Sequence, residues 1–219
     1  MPRKLVTYMK KEEHMEHTKI TCMAKRRAEG LLWTDTRENM KRQVYTRGLC
    51  QNFNWTRPDE AEKRAAILQD LFASCGSNVW IKPPLTLAMG NTVSIGKDTY
   101  INSNLTLVDD HEMLIGNGVL IAPNVTISAT NHPLHYLARA HGEMYCKKVV
   151  MEDFVWIGSN VVISAGVTVG KGSVIGAGSV VTKDIPPMSF AAGVPCRVIR
   201  EITDEDLKEF EPIPEDTGG

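Results

Sequence analysis

From Gly76 onward, aliphatic residues return every six positions, each followed by a small or polar residue and, four places on, by a second small or β-branched one. The rungs are Ile95-Gly96, Ile101-Asn102, Ile115-Gly116, Ile121-Ala122, Ile157-Gly158, Ile163-Ser164, Val169-Gly170, Ile175-Gly176 and Val181-Thr182. Strands of a sandwich recur at about eight to twelve residues, so this spacing predicts something else. Three rungs of six make one turn of a triangular coil of about 18 residues, and successive turns stack roughly 4.8 Å apart. The aliphatic residues point inward, which sets Ile157 against Ile175 and Ile163 against Val181. Small residues take the corners, where a strained turn leaves no room for Cβ. A single coil cannot cover its own apolar face, so stability must come from stacked neighbours. The expected class is mainly β, a parallel β-helix.

The period breaks twice. Between Leu107 and Ile115 it slips by two residues across Asp109-Asp110-His111-Glu112. From Pro133 to Lys148 it stops, then resumes in phase at Met151, which predicts a loop extruded from one corner. Loops on a rigid scaffold often carry function. Upstream, from about Lys25 to Gly76, the pattern is helical. Pro58 suits a first helical turn, with Asp59, Glu60 and Glu62 at the positive end of the dipole. Ala65, Leu68, Leu71, Phe72 and Cys75 follow at helical spacing, and Gly76 is placed to end the helix in the left-handed conformation. A second helical segment is expected around Lys25 to Leu32. The chain thus divides into a loosely held extension (1–22), a helical region (23–76), the β-helix (77–202) and an acidic tail (203–219).

At 219 residues the chain suits one domain with a small appendage. Its 25 Lys and Arg against 26 Asp and Glu give a formal charge of −1, so no overall field favours nucleic acid or an acidic membrane. The five cysteines, Cys22, Cys50, Cys75, Cys146 and Cys196, are widely spaced without a Cys-x-x-Cys pair, and reduced thiols are the simpler reading. The N-terminus lacks the apolar run of a signal peptide, and no segment approaches a membrane span. A cytoplasmic protein is expected.

Candidate chemistry gathers at the mouth of the extruded loop, in Ser128-Ala129-Thr130-Asn131-His132-Pro133. Imidazole titrates near neutral pH, and His132 could serve as a general base toward a hydroxyl. A loop histidine taken alone is more often structural or merely solvated. His111, His135 and His141 also offer nitrogen ligands for zinc. The three-residue step from His132 to His135 does not match the five-residue ligand separation of β-helical enzymes of the γ-carbonic-anhydrase type, so no metal is expected.

A set of motifs goes further. Asn131-His132-Pro133-Leu134-His135, Gly142-Glu143-Met144-Tyr145 and Val155-Trp156-Ile157-Gly158-Ser159 are followed by the run from Gly176 to Pro187 and by Ala192-Gly193-Val194-Pro195-Cys196-Arg197-Val198-Ile199. In order and spacing these resemble the galactoside and maltose O-acetyltransferases, and the similarity extends from about Met23 to Ile202. The resemblance implies a left-handed β-helix, a homotrimer, active sites between subunits, and acetyl-CoA and a small sugar as substrates. It also implies His132 as catalytic base, Asp110, Asn102 and Met144 at the acceptor, and Asp35 reaching the acceptor from a neighbouring subunit. Arg42 matches an acceptor-contacting arginine once a one-residue gap is allowed. By the same resemblance the backbone N–H of Ser159 is expected to face the developing oxyanion, with Asn102 assisting. Trp156 lies near the thioester, and Ala177, Thr182, Lys183, Arg197 and Arg200 fall along the coenzyme A groove.

Dull alternatives stand beside these roles: Ser159, Ala177 and Thr182 also suit corner positions, and Lys183, Arg197 and Arg200 suit ordinary surface charge. Ala88 departs from the galactoside enzymes, which carry a serine against the sugar there. A lost polar contact reorders substrates, so the resemblance implies the reaction more firmly than the sugar. The expectation is direct acetyl transfer in a ternary complex, with His132 taking the hydroxyl proton. Transfer through an acetylated Cys146, transfer to an amine or a non-sugar hydroxyl, and an inactive β-helical scaffold are the alternatives.

Overall fold

The computed structural model describes residues 22–209. The predicted extension therefore lies outside the described residues except for Cys22, as does most of the acidic tail. Three helices open the described chain: α1 (Met23–Ala28), α2 (Arg37–Asn54) and α3 (Ala61–Leu71). Thr36 caps α2, its hydroxyl accepting from the Asn39 N–H at 3.2 Å, and this satisfies one of the free donors of the first turn. Helix α2 buries Thr46, Cys50 and Phe53, and α3 buries Leu68 and Leu71 against the same core.

Two boundary expectations are corrected. Pro58 does not open α3, which begins at Ala61 behind Glu60. The Arg57 N–H donates to the Glu60 carboxylate at 2.7 Å, and the Arg64 guanidinium donates to the Thr56 hydroxyl at 2.7 Å, so a tight turn occupies that interval. Gly76 does not cap the helix. Helix α3 ends at Leu71, and the chain is already strand at Ser74–Cys75, because Ala73 and Gly76 N–H groups donate to Val93 and Ile95 carbonyls of the next coil at 2.9 Å. Capture by the first coil outcompetes another helical turn.

From Ser74 the chain winds through three parallel faces. The first holds Ser74–Cys75, Val93–Ile95, Met113–Ile115, Val149–Met151 and Thr168–Val169. The second holds Trp80–Ile81, Tyr100–Ile101, Leu120–Ile121, Trp156–Ile157, Val174–Ile175 and Ser189–Ala192, closed at its edge by the antiparallel strand Arg197–Glu201. The third holds Leu85–Leu87, Leu105–Val108, Thr126–Ser128, Val162–Ile163 and Val180–Val181. The expected pairs are in register, Ile157 with Ile175 and Ile163 with Val181. Ile101, Ile121, Ile157 and Ile175 form one fully buried stack.

The corners need small residues for a second reason besides turn strain. A Cβ on Gly76 would stand 2.6 Å from the Lys97 nitrogen, and one on Gly96 would stand 2.6 Å from the Gly116 carbonyl carbon. What excludes a side chain there is the coil stacked alongside. The left-handed corner positions are shared between glycines, such as Gly118, Gly172 and Gly178, and asparagines, such as Asn104, Asn124 and Asn160, whose short polar side chains tolerate that region.

Both breaks in the period are structured. The two-residue slip makes a wider corner in which Asp109, fully buried, accepts from the N–H groups of Ala88, Met89 and Gly90 at 2.7, 3.0 and 2.6 Å and from the Thr92 hydroxyl at 2.7 Å. The second break is an antiparallel pair, Thr130–Asn131 with Tyr145–Cys146, enclosing a short 3-10 turn at Tyr136–Arg139. Pairing thus begins before Pro133. Trp33 and Met144 exchange both backbone hydrogen bonds at 2.9 Å, which ties the segment between α1 and α2 to this hairpin.

Removing the Asp109 carboxylate would leave three N–H donors facing a protein interior without a partner. Asp109→Ala is expected to lose about 3 kcal/mol or more of unfolding free energy. Urea unfolding followed by circular dichroism checks this, and a loss within about 0.5 kcal/mol of zero would contradict the role given to the carboxylate.

Candidate active site

A cleft of about 310 Å³ opens where the third face turns into the first. Its floor comes from the coils, with Leu87, Ala88, Val108 and Asp110, and the hairpin adds Thr130, His132 and Met144. The roof comes from Asp35, Gln43 and Arg47 at and within α2. Three stretches far apart in sequence therefore meet because Asp109 holds the 88–90 corner and the Trp33–Met144 pairing holds the helical segment.

His132 is exposed at the rim. Its Nδ1 lies 2.8 Å from the Glu143 carbonyl oxygen. A carbonyl only accepts, so in neutral imidazole Nδ1 carries the proton and Nε2 keeps a free lone pair. Glu143 is itself held within the hairpin, its carboxylate accepting from the His141 N–H at 2.9 Å. That bond, the first of several, holds its carboxyl below the usual carboxylate range.

Asp110 is 6% exposed and accepts from the Thr130 hydroxyl at 2.7 Å. Burial is the main cause that pushes its carboxyl up, and the charges of Asp109 and Asp35 act the same way; the Thr130 bond and the Arg27 charge oppose them. The Gln43 amide donates to the Asp35 carboxylate at 3.4 Å. The cleft thus offers two carboxylates, an amide, a guanidinium and an imidazole around an apolar floor, a set that suits a compact polyhydroxylated ligand.

Of the acceptor positions expected from sequence, Asp35, Asp110 and Met144 are together with His132 in this cleft, and Asp35 comes from the same chain as His132 rather than from a neighbouring subunit, because the Trp33–Met144 pairing holds its segment on the hairpin. Arg42 is not. Its guanidinium donates to the Met89 carbonyl at 2.8 Å and the Leu71 carbonyl at 3.4 Å, and it stacks on Tyr45. It fastens α2 to the corner, where Thr46 adds a bond to the same Met89 oxygen at 2.7 Å. The arginine presented to the cleft is Arg47, with Gln43 one turn before it. Spacing of four within one helix was the available signal, but the one-residue gap in the motif match left the helix phase open. The hexapeptide pattern does not single out Thr130 either, because its place in the cleft depends on a strand pairing that the pattern does not contain.

Asn102 lies elsewhere. It follows Ile101 at the corner between the second and third faces, and its side-chain oxygen accepts from Ser103 N–H at 2.8 Å. The strand register brings the stretches after Ile121, Ile157 and Ile175 to this same corner, which places Ser159 and Ala177 near Asn102 along one edge. The third face separates that edge from the cleft; at about 3.3 Å per residue, a strand such as Leu105–Val108 spans on the order of 13 Å. Trp156 projects from the second face between Leu120 and Val174 and is 51% exposed. Thr182 and Lys183 follow Val181 at the far end of the third face. Arg197 donates to the Cys196 carbonyl at 2.8 Å, and Arg200 forms a two-pronged pair with Asp206 at 2.6 and 2.9 Å.

The five cysteines are free. Cys146 is buried behind the cleft, where desolvation pushes its thiol up and the Trp33 indole N–H donates to its sulfur at 3.3 Å. That environment is the opposite of an activated thiolate's. Among the described residues, His, Cys, Asp and Glu form no group of three or more able to hold a metal ion. His135 stacks on Tyr136 and His141 pairs with Glu143. No helix among the described residues is long and apolar enough to cross a membrane.

Known proteins share this architecture. Residues 148–183 match the bacterial transferase hexapeptide family (six repeats), and residues 26–76 match the maltose acetyltransferase hexapeptide capping motif. The galactoside O-acetyltransferase of Escherichia coli (strain K12) is 50% identical over 185 residues, 84% of this chain and 91% of that protein. The galactoside O-acetyltransferase of Lactococcus lactis is 40% identical over 184 residues, 84% of this chain and 89% of that protein. A solved structure of a galactoside acetyltransferase in complex with coenzyme A superposes with a TM-score of 0.84 at 47% identity, covering 86% of this chain and 94% of that one. A maltose O-acetyltransferase from Clostridium difficile 630 gives 0.81 at 37% identity, covering 83% and 97%. Identity at this level over more than four fifths of the chain means that it belongs to the hexapeptide-repeat O-acetyltransferase family, which includes the galactoside and maltose O-acetyltransferases.

Proposed function

We propose that the protein transfers the acetyl group of acetyl-CoA to a hydroxyl of a sugar, with His132 as general base. The observation that carries this reading is the His132 imidazole at the rim of a carboxylate-lined cleft, with Nδ1 committed to the Glu143 carbonyl and Nε2 available. Asp35 and Asp110 accept hydrogen bonds from acceptor hydroxyls, and Met144 and Leu87 pack against the apolar face of the ring. The hydroxyl oxygen attacks the thioester carbonyl as Nε2 takes its proton. The C–O bond forms, the C–S bond breaks, and the proton passes from Nε2 to the departing thiolate. A positioned base contributes about 10²–10⁴-fold.

The oxyanion needs donors at the thioester carbonyl, away from the acceptor-facing groups of the cleft. The Ser159 N–H and the Asn102 amide are assigned that role, worth roughly 10²–10³-fold for one donor. Coenzyme A lies along Trp156, Ala177, Thr182, Lys183, Arg197 and Arg200. Within one chain Asn102 and Ser159 stand at a different corner from His132, so the site closes only when a neighbouring copy brings its Asn102 corner to the cleft. A homotrimer does this three times by symmetry. The half-exposed stripe of Trp80, Leu120 and Trp156 on the second face supports burial against a neighbour. Free thiols and a reaction fed by acetyl-CoA suit a cytoplasmic location. Ala88 at the floor offers no hydroxyl to the sugar, which makes the preferred acceptor one that does without that bond.

Acetyl-CoA with a panel of mono- and disaccharides, nucleosides and amines, read as released thiol, tests the reaction class; a preference for amines would overturn it. His132→Ala is expected to lower kcat by about 10²–10⁴-fold with acetyl-CoA affinity and Tm close to the parent's. A parent-like kcat in the folded variant removes His132 as the base. Co-expressed His132→Ala and Asn102→Ala chains, each nearly inactive alone, should recover about a quarter of parental activity in a random 1:1 mixture, about a third in the mixed trimers themselves, because one site of three then pairs an intact His132 with an intact Asn102. No recovery in mixed trimers verified by mass spectrometry would place the whole site within one chain.

A further inference from the structure

A charged group behind the acceptor cleft has no part in the reaction above. Arg27, in α1, stands with its guanidinium carbon 5.4 Å from the centroid of the Trp33 ring. Trp33 is 1% exposed, so the indole closes one side of the cation. Arg27 Nη1 is buried and donates to no acceptor, the one side-chain atom in that condition among the described residues. The guanidinium as a whole is half-buried, but a buried N–H without a hydrogen-bond partner is costly, and negative charge nearby offsets part of that cost.

That charge is Asp110. The Trp33 indole N–H donates to Cys146 Sγ at 3.3 Å; the Thr130 hydroxyl lies 3.6 Å from the same sulfur and donates to the Asp110 carboxylate at 2.7 Å. Arg27, Trp33, Cys146, Thr130 and Asp110 therefore form one packed row from α1 to the cleft. The charged groups acting on Asp110 are Asp109 and Asp35, which disfavour its ionised form, and Arg27, which favours it. His132 and Arg47 share the cleft but are exposed, where water screens them.

We propose that Arg27 is a positioning residue for acceptor recognition: backed by the Trp33 indole, it supplies the half-buried positive charge that keeps Asp110 an ionised acceptor of sugar hydroxyls, without touching the sugar. This rests on the sugar-acetylating reading above. An ionised carboxylate accepts from hydroxyls at both oxygens, whereas a protonated one turns one oxygen into a donor and loses the stronger charge-assisted bond.

Arg27→Met keeps a long apolar side chain over Trp33 and removes the charge. Because burial already raises the folded-state pKa of Asp110 above its unfolded value, ionisation weighs against the folded state increasingly as pH rises through the folded value. Loss of Arg27 raises that value further, so the Tm deficit of Arg27→Met should be larger at about pH 8 than at about pH 5. The pH-dependent part should vanish when Asp110→Asn is added. In kinetics, KM for the acceptor should rise severalfold at the acid end of the working pH range and approach the parent's as pH rises, while kcat and KM for acetyl-CoA stay within about twofold. Arg27→Lys should restore most of the affinity. A Tm deficit equal at both pH values and unchanged by Asp110→Asn, with a parent-like acceptor KM throughout, would reduce Arg27 to a packing residue. If the parent transfers acetyl to no sugar, the functional reading fails, and the melting comparison still decides the role of Arg27.

Discussion

Everything in this protein depends on how closely one coil approaches the next. Parallel strands pair only at about 4.8 Å, and each of the three faces must satisfy that spacing at once. The inward aliphatic residues can then interlock as continuous stacks, of which Ile101, Ile121, Ile157 and Ile175 are one. The same spacing leaves no volume at corners such as Gly76 and Gly96, where a Cβ would meet the backbone of the neighbouring coil. Burial of a Leu- or Ile-sized side chain is worth about 1.5–3 kcal/mol, but here it is available only to residues whose coils are in register.

A scaffold so strictly spaced has nowhere to build a cleft unless the repeat is interrupted. Both interruptions fall on the edge between the third and first faces, and the two cooperate. The Asp109 corner fixes the chain at Ala88 to Gly90 through three backbone donors, and Arg42 and Thr46 fasten α2 to the Met89 carbonyl in the same place. The hairpin carries His132 and Met144 outward, and its edge pairs with Trp33. The walls of the cleft are therefore held by backbone hydrogen bonds, which define position more closely than side-chain packing alone. The orientation of His132 follows from this: its partner is a main-chain carbonyl of the hairpin, so the tautomer is set by the path of the chain.

Electrostatics in the cleft are set by opposed neighbours. Asp109 and Asp110 are adjacent in sequence and both buried, yet their surroundings divide the work. Asp109 is surrounded by backbone donors and serves the fold. Asp110 has a single hydroxyl donor and opens on the cleft, and its charge is balanced across the packed row that ends at Arg27 and Trp33. Carboxylates left with free accepting capacity at a cleft are those that can bind hydroxyls.

The sequence by itself determined the solenoid, the pairing of Ile157 with Ile175 and Ile163 with Val181, the two interruptions, and the family, because each is written in local periodicity or in contiguous motifs. It also pointed to His132, Asp35, Asp110 and Met144, which the structure brings to one cleft. Other features depend on contacts between distant segments and emerge only on folding. Helix α3 stops at Leu71 because the first coil captures the chain at Ala73, and no residue near Gly76 encodes that competition. Arg42 turns to the Met89 carbonyl and Arg47 to the cleft because α2 is rotated by its bonds to a corner more than forty residues away. Thr130 acquires a role through an antiparallel pair, and Arg27 through an indole that lies under it only after the helical segment docks on the hairpin. A local pattern records what a residue prefers beside its neighbours in sequence; which charge faces which is settled by packing, where the alternatives differ by the desolvation and pairing of single groups.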